Sequence, residues 1–307
     1  MLKRTKNILI ITMLMVILLT LPYRASAIPD HVQALGKTIP VFTKSGKDDL
    51  PPMLVVGPAM LFKDRLPDSF NEMFHIYFVD IFIKQLVPAS LDINQLTLDD
   101  FVEAIESIRQ QLGLENVILF GHSSNGILAL KYSEKYYEHV KCNILIGTTP
   151  FRGEAKKAFS KDFFENNADT QRKERRIQDK RKKPTSFVDK YNAKCTWNFF
   201  YYSAAENATI WEGIDLDEEL VKKYFSLIDD FDIRTNIDIL KVPTFLGLGL
   251  YDATCPLVLW TDEASMVLEN PLLRYYIFDK SAHFPMIENS TTFIEQLQNF
   301  LNDLALQ

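Results

Sequence analysis

The chain has 307 residues, 47% hydrophobic and 24% charged, with a formal net charge of −6. Eleven Gly and 14 Pro exclude a collagen-like or low-complexity chain, and 22 Phe with 12 Tyr argue against wholesale disorder. Three cysteines, Cys142, Cys195 and Cys255, exclude a zinc ribbon or a disulfide-dense scaffold and allow at most one bridge.

The first element is a leader. Lys3, Arg4 and Lys6 precede an apolar run from Ile8 to Leu21, and Ala25-Ser26-Ala27 puts small residues at the −3 and −1 positions of a cleavage site. That layout is a signal peptide over 1–27, cleaved after Ala27, and it predicts a secreted or periplasmic protein. The 14-residue run is shorter than the about 20 residues that span a bilayer, so an uncleaved anchor is the lesser alternative. Without the leader, 30 Lys+Arg face 40 Asp+Glu, a net charge of −10 that gives no global attraction to nucleic acid or anionic lipid.

Strand and helix patterns then alternate. Met53–Val56 and Ile76–Ile81 read as strands; Leu98, Phe101, Ile105, Ile108 and Leu112 keep helical spacing behind a Thr97 N-cap. Val117–Phe120 and Asn143–Ile146 are the next strands, followed by Thr244–Leu248 and Arg274–Phe278. Phe293, Leu297, Phe300, Leu301 and Leu304 close the chain with a helix. The strands are short, Val/Ile/Phe-rich and barely alternating, as strands buried on both faces are. The fold class is therefore α/β, a mostly parallel sheet flanked by helices.

The chemistry starts after Val117–Phe120. Gly121-His122-Ser123-Ser124-Asn125-Gly126 and the apolar run that follows read as strand, tight turn, helix. A serine on such a turn stands above the sheet edge beside helix-terminal N–H groups. The G-x-S-x-G pattern is half met in two registers: Ser123 has Gly121 at −2, Ser124 has Gly126 at +2. Ser123 is preferred because Gly121 directly follows the strand, where the turn must begin.

From 151 to 234 the strand rhythm stops. This stretch reads as a helical insertion between two pieces of one sheet domain, 28–150 and 235–307. Its 172–183 run carries a net charge of +6, so the rest of the mature chain sums to −16. That run reads as a solvated helix. The aromatic cluster Trp197, Phe199, Phe200, Tyr201 and Tyr202 reads chiefly as the insertion's own core, with a share in lining a pocket.

A serine nucleophile needs a base, and the base needs a partner that fixes its tautomer. Of five histidines, His283 alone lies in a loop directly after a strand, in Ser281-Ala282-His283-Phe284-Pro285. Asp252 follows Thr244–Leu248 in the same way. Such loops, at the carboxyl ends of parallel strands, are where these sheets build sites. Ser123, Asp252 and His283 thus form a candidate triad in the order Ser, Asp, His.

With these residues in place, the mature chain resembles the α/β-hydrolase superfamily along nearly its full length. Gly121-His122-Ser123 is similar to the family's G-H-S elbow, and Asp252 and His283 to its acid and base. The resemblance implies that 151–234 is a helical cap over the active site. Tyr251-Asp252 with Cys255-Pro256 is similar to the Y-D-x-x-C-P of proline iminopeptidase-like members, and Trp211-Glu212-Gly213 to their W-E segment, whose acid holds a free amine. Trp211 and Glu212 are accordingly substrate-binding candidates, and Trp260 is a third because it lies eight residues beyond Asp252. The family's oxyanion-hole loop usually reads His-Gly; here it is Val56-Gly57-Pro58-Ala59. Pro58 has no N–H, so Gly57 or Ala59 must donate beside the Ser124 N–H. In the iminopeptidase-like G-G-P-G pattern Gly57-Pro58 falls on Gly-Pro, which favours Gly57.

The expected activity is serine hydrolysis of a small-molecule ester or amide, or of a short peptide, with no metal or organic cofactor. An iminopeptidase-like aminopeptidase is the alternative; a binding protein with an impaired oxyanion hole is the non-enzymatic one. Cys255 is expected to pack or to bridge Cys195, not to act as a nucleophile.

Overall fold

A computed structural model describes residues 28–47, 49–84, 91–201, 211 and 213–305. The leader and Glu212 therefore lie outside the described residues, as does Tyr202. The described chain opens with a hairpin absent from the sequence reading, β1 (His31–Ala34) and β2 (Lys37–Pro40). Its two-residue turn puts Leu35 and Gly36 at φ 49° and 69°, the left-handed pair that matches strand twist.

The main sheet has seven strands: β3 (Phe42–Lys44), β4 (Pro52–Val56), β5 (His75–Phe78), β6 (Val117–His122), β7 (Val140–Ile146), β8 (Thr244–Gly249) and β9 (Leu273–Phe278). Their order is β3-β5-β4-β6-β7-β8-β9, with only β3 antiparallel to its neighbour. Every residue of β6 and β8 is buried, which is why their sequences run apolar without alternation. The six expected strands are present with shifted ends. The one expected over Ile76–Ile81 leaves the ladder after Phe78, where buried Asp80 turns its carboxylate onto the N–H groups of Met60 and Phe82 (3.1 and 2.9 Å).

Helix α1 (Leu98–Gln111) begins where expected. The Thr97 hydroxyl accepts the Asp100 N–H, and the Asp100 carboxylate accepts the Thr97 N–H at 2.7 Å, a reciprocal capping box. Helix α2 (Asn125–Lys135) packs beside it. Buried Glu106 joins the two, accepting from Arg109 (2.7 and 2.8 Å) and from the Tyr132 hydroxyl (2.7 Å).

Between β7 and β8 run helices α3 (Gly153–Asn167), α4 (Thr170–Arg181), α5 (Phe187–Asn192), α6 (Cys195–Asn198) and α7 (Glu218–Leu227). The chain leaves and re-enters the sheet body at an isolated bridge, Phe151 with Asp232. The basic run falls on α4 but is not wholly solvated. Arg172 lies over the Phe200 ring (5.6 Å) and Arg176 over the Trp197 ring (5.4 Å). Helix α8 (Ser290–Ala305) closes the chain, with Phe293, Leu297 and Phe300 buried. All three cysteines are buried thiols and no disulfide links them, so the bridge admitted between Cys195 and Cys255 does not form.

Candidate active site

The β6–α2 turn is strained at one residue. Ser123 has φ +57°, a left-handed conformation that costs a non-glycine residue roughly 1–2 kcal/mol. Ser124 is the helical N-cap that follows, at φ −60° and ψ −22°. The turn is this sharp because its flanks have no side chains. A Cβ on Gly121 would lie 2.7 Å from the Gly126 Cα, and one on Gly126 would lie 2.0 Å from the Thr148 hydroxyl. Gly126 therefore makes room against Thr148, and the conformational strain sits on Ser123. The Ser123 N–H is held by the Ile146 carbonyl at 2.7 Å.

His283 and Asp252 meet two strands away. The His283 Nδ1 lies 2.6 Å from one Asp252 carboxylate oxygen, and both residues are buried. The other oxygen accepts the Thr254 and Cys255 N–H groups at 2.7 and 2.8 Å, which fixes the carboxylate plane. Gly147, at φ +56°, leaves space for this pair; a Cβ there would sit 2.8 Å from His283 Nδ1 and 3.3 Å from the Asp252 carboxylate.

His122 is a second buried imidazole at the site, stacked on Phe284 and edge-on to His283 at 4.5 Å. Burial, and then the neighbouring His283, hold its pKa well below the usual histidine value. It is therefore neutral, and its Nε2–H donates to the His283 carbonyl at 2.8 Å. Its role is support of the histidine loop.

Asn198 and Glu288, which the sequence reading did not single out, pin that loop and its neighbours. The Asn198 carbonyl accepts the His283 N–H at 2.9 Å, and its side-chain oxygen accepts the Thr254 hydroxyl at 2.5 Å. The Glu288 carboxylate accepts N–H groups from Phe200 (2.7 Å), Tyr201 (3.1 Å) and Ala282 (2.8 Å). One carboxylate thus ties the α3–α7 segment to the residue beside His283. Burial pushes Glu288 up to about 7, against the pull of those three donors. The only sequence signal for it was an acid five residues beyond the histidine.

The oxyanion candidates separate on their bonding. The Ala59 N–H already donates to the Gly57 carbonyl (2.8 Å) and the Met60 N–H to Asp80 (3.1 Å). Gly57, at φ +105°, carries no such bond among the described residues, and neither does the Ser124 N–H. The Asn125 side chain packs directly onto Gly57, where a Cβ would fall 2.4 Å from its amide carbon. Arg152 donates to the Ser124 hydroxyl at 2.7 Å, and the Tyr224 hydroxyl donates to the Ser124 carbonyl at 2.7 Å.

Ser123, Ser124 and His283 line one cavity with Pro58, Tyr191 and Trp211 among its walls. Trp211 packs on Tyr191 (4.8 Å), and its indole N–H is buried without a partner among the described residues. Trp260 is not brought to this cavity. It is buried elsewhere with its indole N–H on the Thr148 carbonyl at 2.8 Å, which corrects its assignment to a substrate pocket. No acid lines the cavity among the described residues. Among the described residues one cluster offers metal-ligand atoms within 4.8 Å of one another: Asp252, Cys255 and His283. Its atoms are otherwise engaged, since Asp252 already bonds His283 and two N–H groups, and burial pushes the Cys255 thiol up to about 12.

The chain has relatives among known proteins. A family model described as alpha/beta hydrolase fold matches residues 83–290. Over 261 residues the chain is 26% identical to the AB hydrolase superfamily protein YclE of Bacillus subtilis, covering 82% of this chain and 92% of that protein. It is 22% identical over 260 residues to a proline iminopeptidase of Saccharolobus solfataricus, covering 78% and 79%. Among solved structures, an alpha/beta fold family hydrolase from Bacillus anthracis superposes with a TM-score of 0.64 at 20% identity, covering 89% of this chain and 98% of that one. At these identities the structural likeness concerns the fold.

Proposed function

Because the chain belongs to the alpha/beta hydrolase fold family and is a hydrolase of that fold, we propose that it is a serine hydrolase acting on an ester or amide of a small molecule. The observation that carries this is the left-handed Ser123 on a strand–turn–helix beside a buried His283–Asp252 pair, with Ser123 and His283 lining one cavity. Neutral His283, held in its tautomer by Asp252, takes the Ser123 proton as the hydroxyl attacks the carbonyl. The Gly57 and Ser124 N–H groups receive the oxyanion. His283 then returns the proton to the leaving group, and a water activated in the same way releases the acid. The 151–234 segment, as a cap, supplies the far wall.

The binding-protein reading needs an impaired oxyanion hole. Pro58 leaves the Gly57 N–H as donor, and Asn125 packs against Gly57 without engaging that N–H. A second enzymatic reading, an aminopeptidase for N-terminal proline, is favoured by the similarity to proline iminopeptidases. It requires an acid for the substrate ammonium, and Glu212 would have to provide it.

Fluorophosphonate labelling tests the main reading. Wild type should react, Ser123→Ala should not, and Ser124→Ala should retain the reaction. An unreactive wild type would remove the serine-hydrolase proposal, and loss in Ser124→Ala with retention in Ser123→Ala would reassign the nucleophile.

A further inference from the structure

The Ser124 side chain has a proton with nowhere to go inside the protein. Arg152 Nη1 donates to the Ser124 oxygen at 2.7 Å, and a guanidinium has no acceptor to offer in return. The hydroxyl must therefore point its own proton elsewhere. Among the described residues it donates no hydrogen bond to the protein, while Ser124 lines the same cavity as Ser123 and His283. A serine oxygen is three bonds from its own backbone nitrogen, about 3 to 4 Å depending on the side-chain rotamer. The Ser124 hydroxyl and N–H therefore stand close together on the cavity wall that this residue lines.

Arg152 is placed to polarise that hydroxyl. Its guanidinium lies over the Phe225 ring at 5.2 Å, its side chain is 17% exposed, and its Nε is buried with no hydrogen-bond partner among the described residues. Its nearest carboxylate, Asp229, is half exposed and 3.8 Å away, so the charge is only partly answered. Tyr224 fixes the same serine from the other side through its carbonyl (2.7 Å). Ser124 also caps α2, whose N-terminal dipole end favours negative charge at this point.

The opposite loop is poor in donors. Pro58 has no N–H, the Ala59 N–H is held by the Gly57 carbonyl, and the Met60 N–H is held by Asp80. Only Gly57 remains on that side. We infer that the Ser124 hydroxyl, polarised by Arg152, is a third hydrogen-bond donor to the oxyanion, with Ser124 a catalytic residue through its side chain as well as its backbone and Arg152 its positioning residue. This rests on Ser123 being the nucleophile.

The test measures fluorophosphonate labelling rates against probe concentration, separating the maximal rate from half-saturation, in wild type, Ser124→Ala, Arg152→Met, Arg152→Lys and the Ser124→Ala/Arg152→Met double variant. A hydrogen bond to a charged group carries about 10- to 100-fold in rate. Ser124→Ala and Arg152→Met should each lower the maximal rate by about that factor with half-saturation within about twofold. The double variant should be no slower than the slower single one, because both remove the same interaction. Arg152→Lys, which can still donate to the hydroxyl, should recover part of the loss. Thermal melting of each variant separates these effects from unfolding. A wild-type rate in folded Ser124→Ala, or multiplying losses in the double variant, would overturn the inference. Complete loss in folded Ser124→Ala together with reaction in Ser123→Ala would instead overturn the nucleophile assignment beneath it.

Discussion

Glu288 makes a prediction whose sign runs against ordinary acid denaturation. Burial pushes this carboxyl from an ordinary 4.5 up to about 7. A group raised in the fold binds its proton there while the unfolded chain has already lost it. Its contribution to stability is therefore complete below about pH 4.5, declines through the interval, and is gone above about pH 7. At 1.36 kcal/mol per pKa unit the decline is about 3 kcal/mol. For a chain of this size that is of order 6–12 °C in melting temperature. Glu288→Gln cannot titrate, so thermal melts of the pair from pH 5 to 8 should show the variant gaining on wild type as the pH rises. Asp80, pushed by burial up to about 7, and His122, with its depressed pKa, are present in both proteins and cancel in the difference. The variant also presents an amide NH2 donor where Ala282 donates, so it should label more slowly with fluorophosphonate at every pH, because Ala282 adjoins His283. Parallel pH curves for the two proteins would refute the reasoning, since they would mean that Glu288 does not ionise differently on folding.

Two further outcomes are expected. Gly147→Ala forces a Cβ to 2.8 Å from His283 Nδ1 at a left-handed φ of +56°; labelling should fall at least about tenfold, with a melting-temperature loss of only a few degrees from the roughly 1–2 kcal/mol of backbone strain. A labelling rate equal to wild type would show that the histidine has room to spare. Glu212→Gln should abolish proline p-nitroanilide hydrolysis while sparing p-nitrophenyl acetate if the aminopeptidase reading is right, and change both little if it is not.

Much of this was legible in the chain because burial writes itself into composition. β4, β6 and β8 are hidden on both faces, so Met53–Val56, Val117–Phe120 and Thr244–Leu248 could be read as strands. The elbow was legible because Gly121 and Gly126 occupy positions where a Cβ would clash, a requirement that selects residue type. The hairpin β1–β2 was not, since four-residue strands with a lysine carry too little pattern. Trp260 shows the limit of proximity arguments: eight residues beyond Asp252, it points into the body and bonds the Thr148 carbonyl. Arg152 and Asn198 were invisible for a different reason. Arg152 meets Ser124 across 28 residues and Asn198 meets Thr254 across 56, and no local pattern records a partner so distant.

The carboxylates of the site share one structural task. Asp80 accepts the Met60 and Phe82 N–H groups, Asp252 those of Thr254 and Cys255, and Glu288 those of Phe200, Tyr201 and Ala282. Each thereby pins a loop near the nucleophile: the oxyanion loop, the acid loop and the histidine loop. Loops have no ladder to satisfy their N–H groups, and water cannot do so where the loops are buried. A carboxylate can accept several donors at once through charge-assisted bonds, whereas a neutral amide would turn donors toward some of them. The cost is desolvation, visible where burial holds Asp80 and Glu288 up at about 7. A rigid set of loops around Ser123 is therefore bought with stability that drains away as the pH rises toward neutrality. A variant that neutralises Asp80 or Glu288 should gain on wild type in stability as the pH rises and lose rate, because the same charge that burdens the fold holds the reacting groups in register.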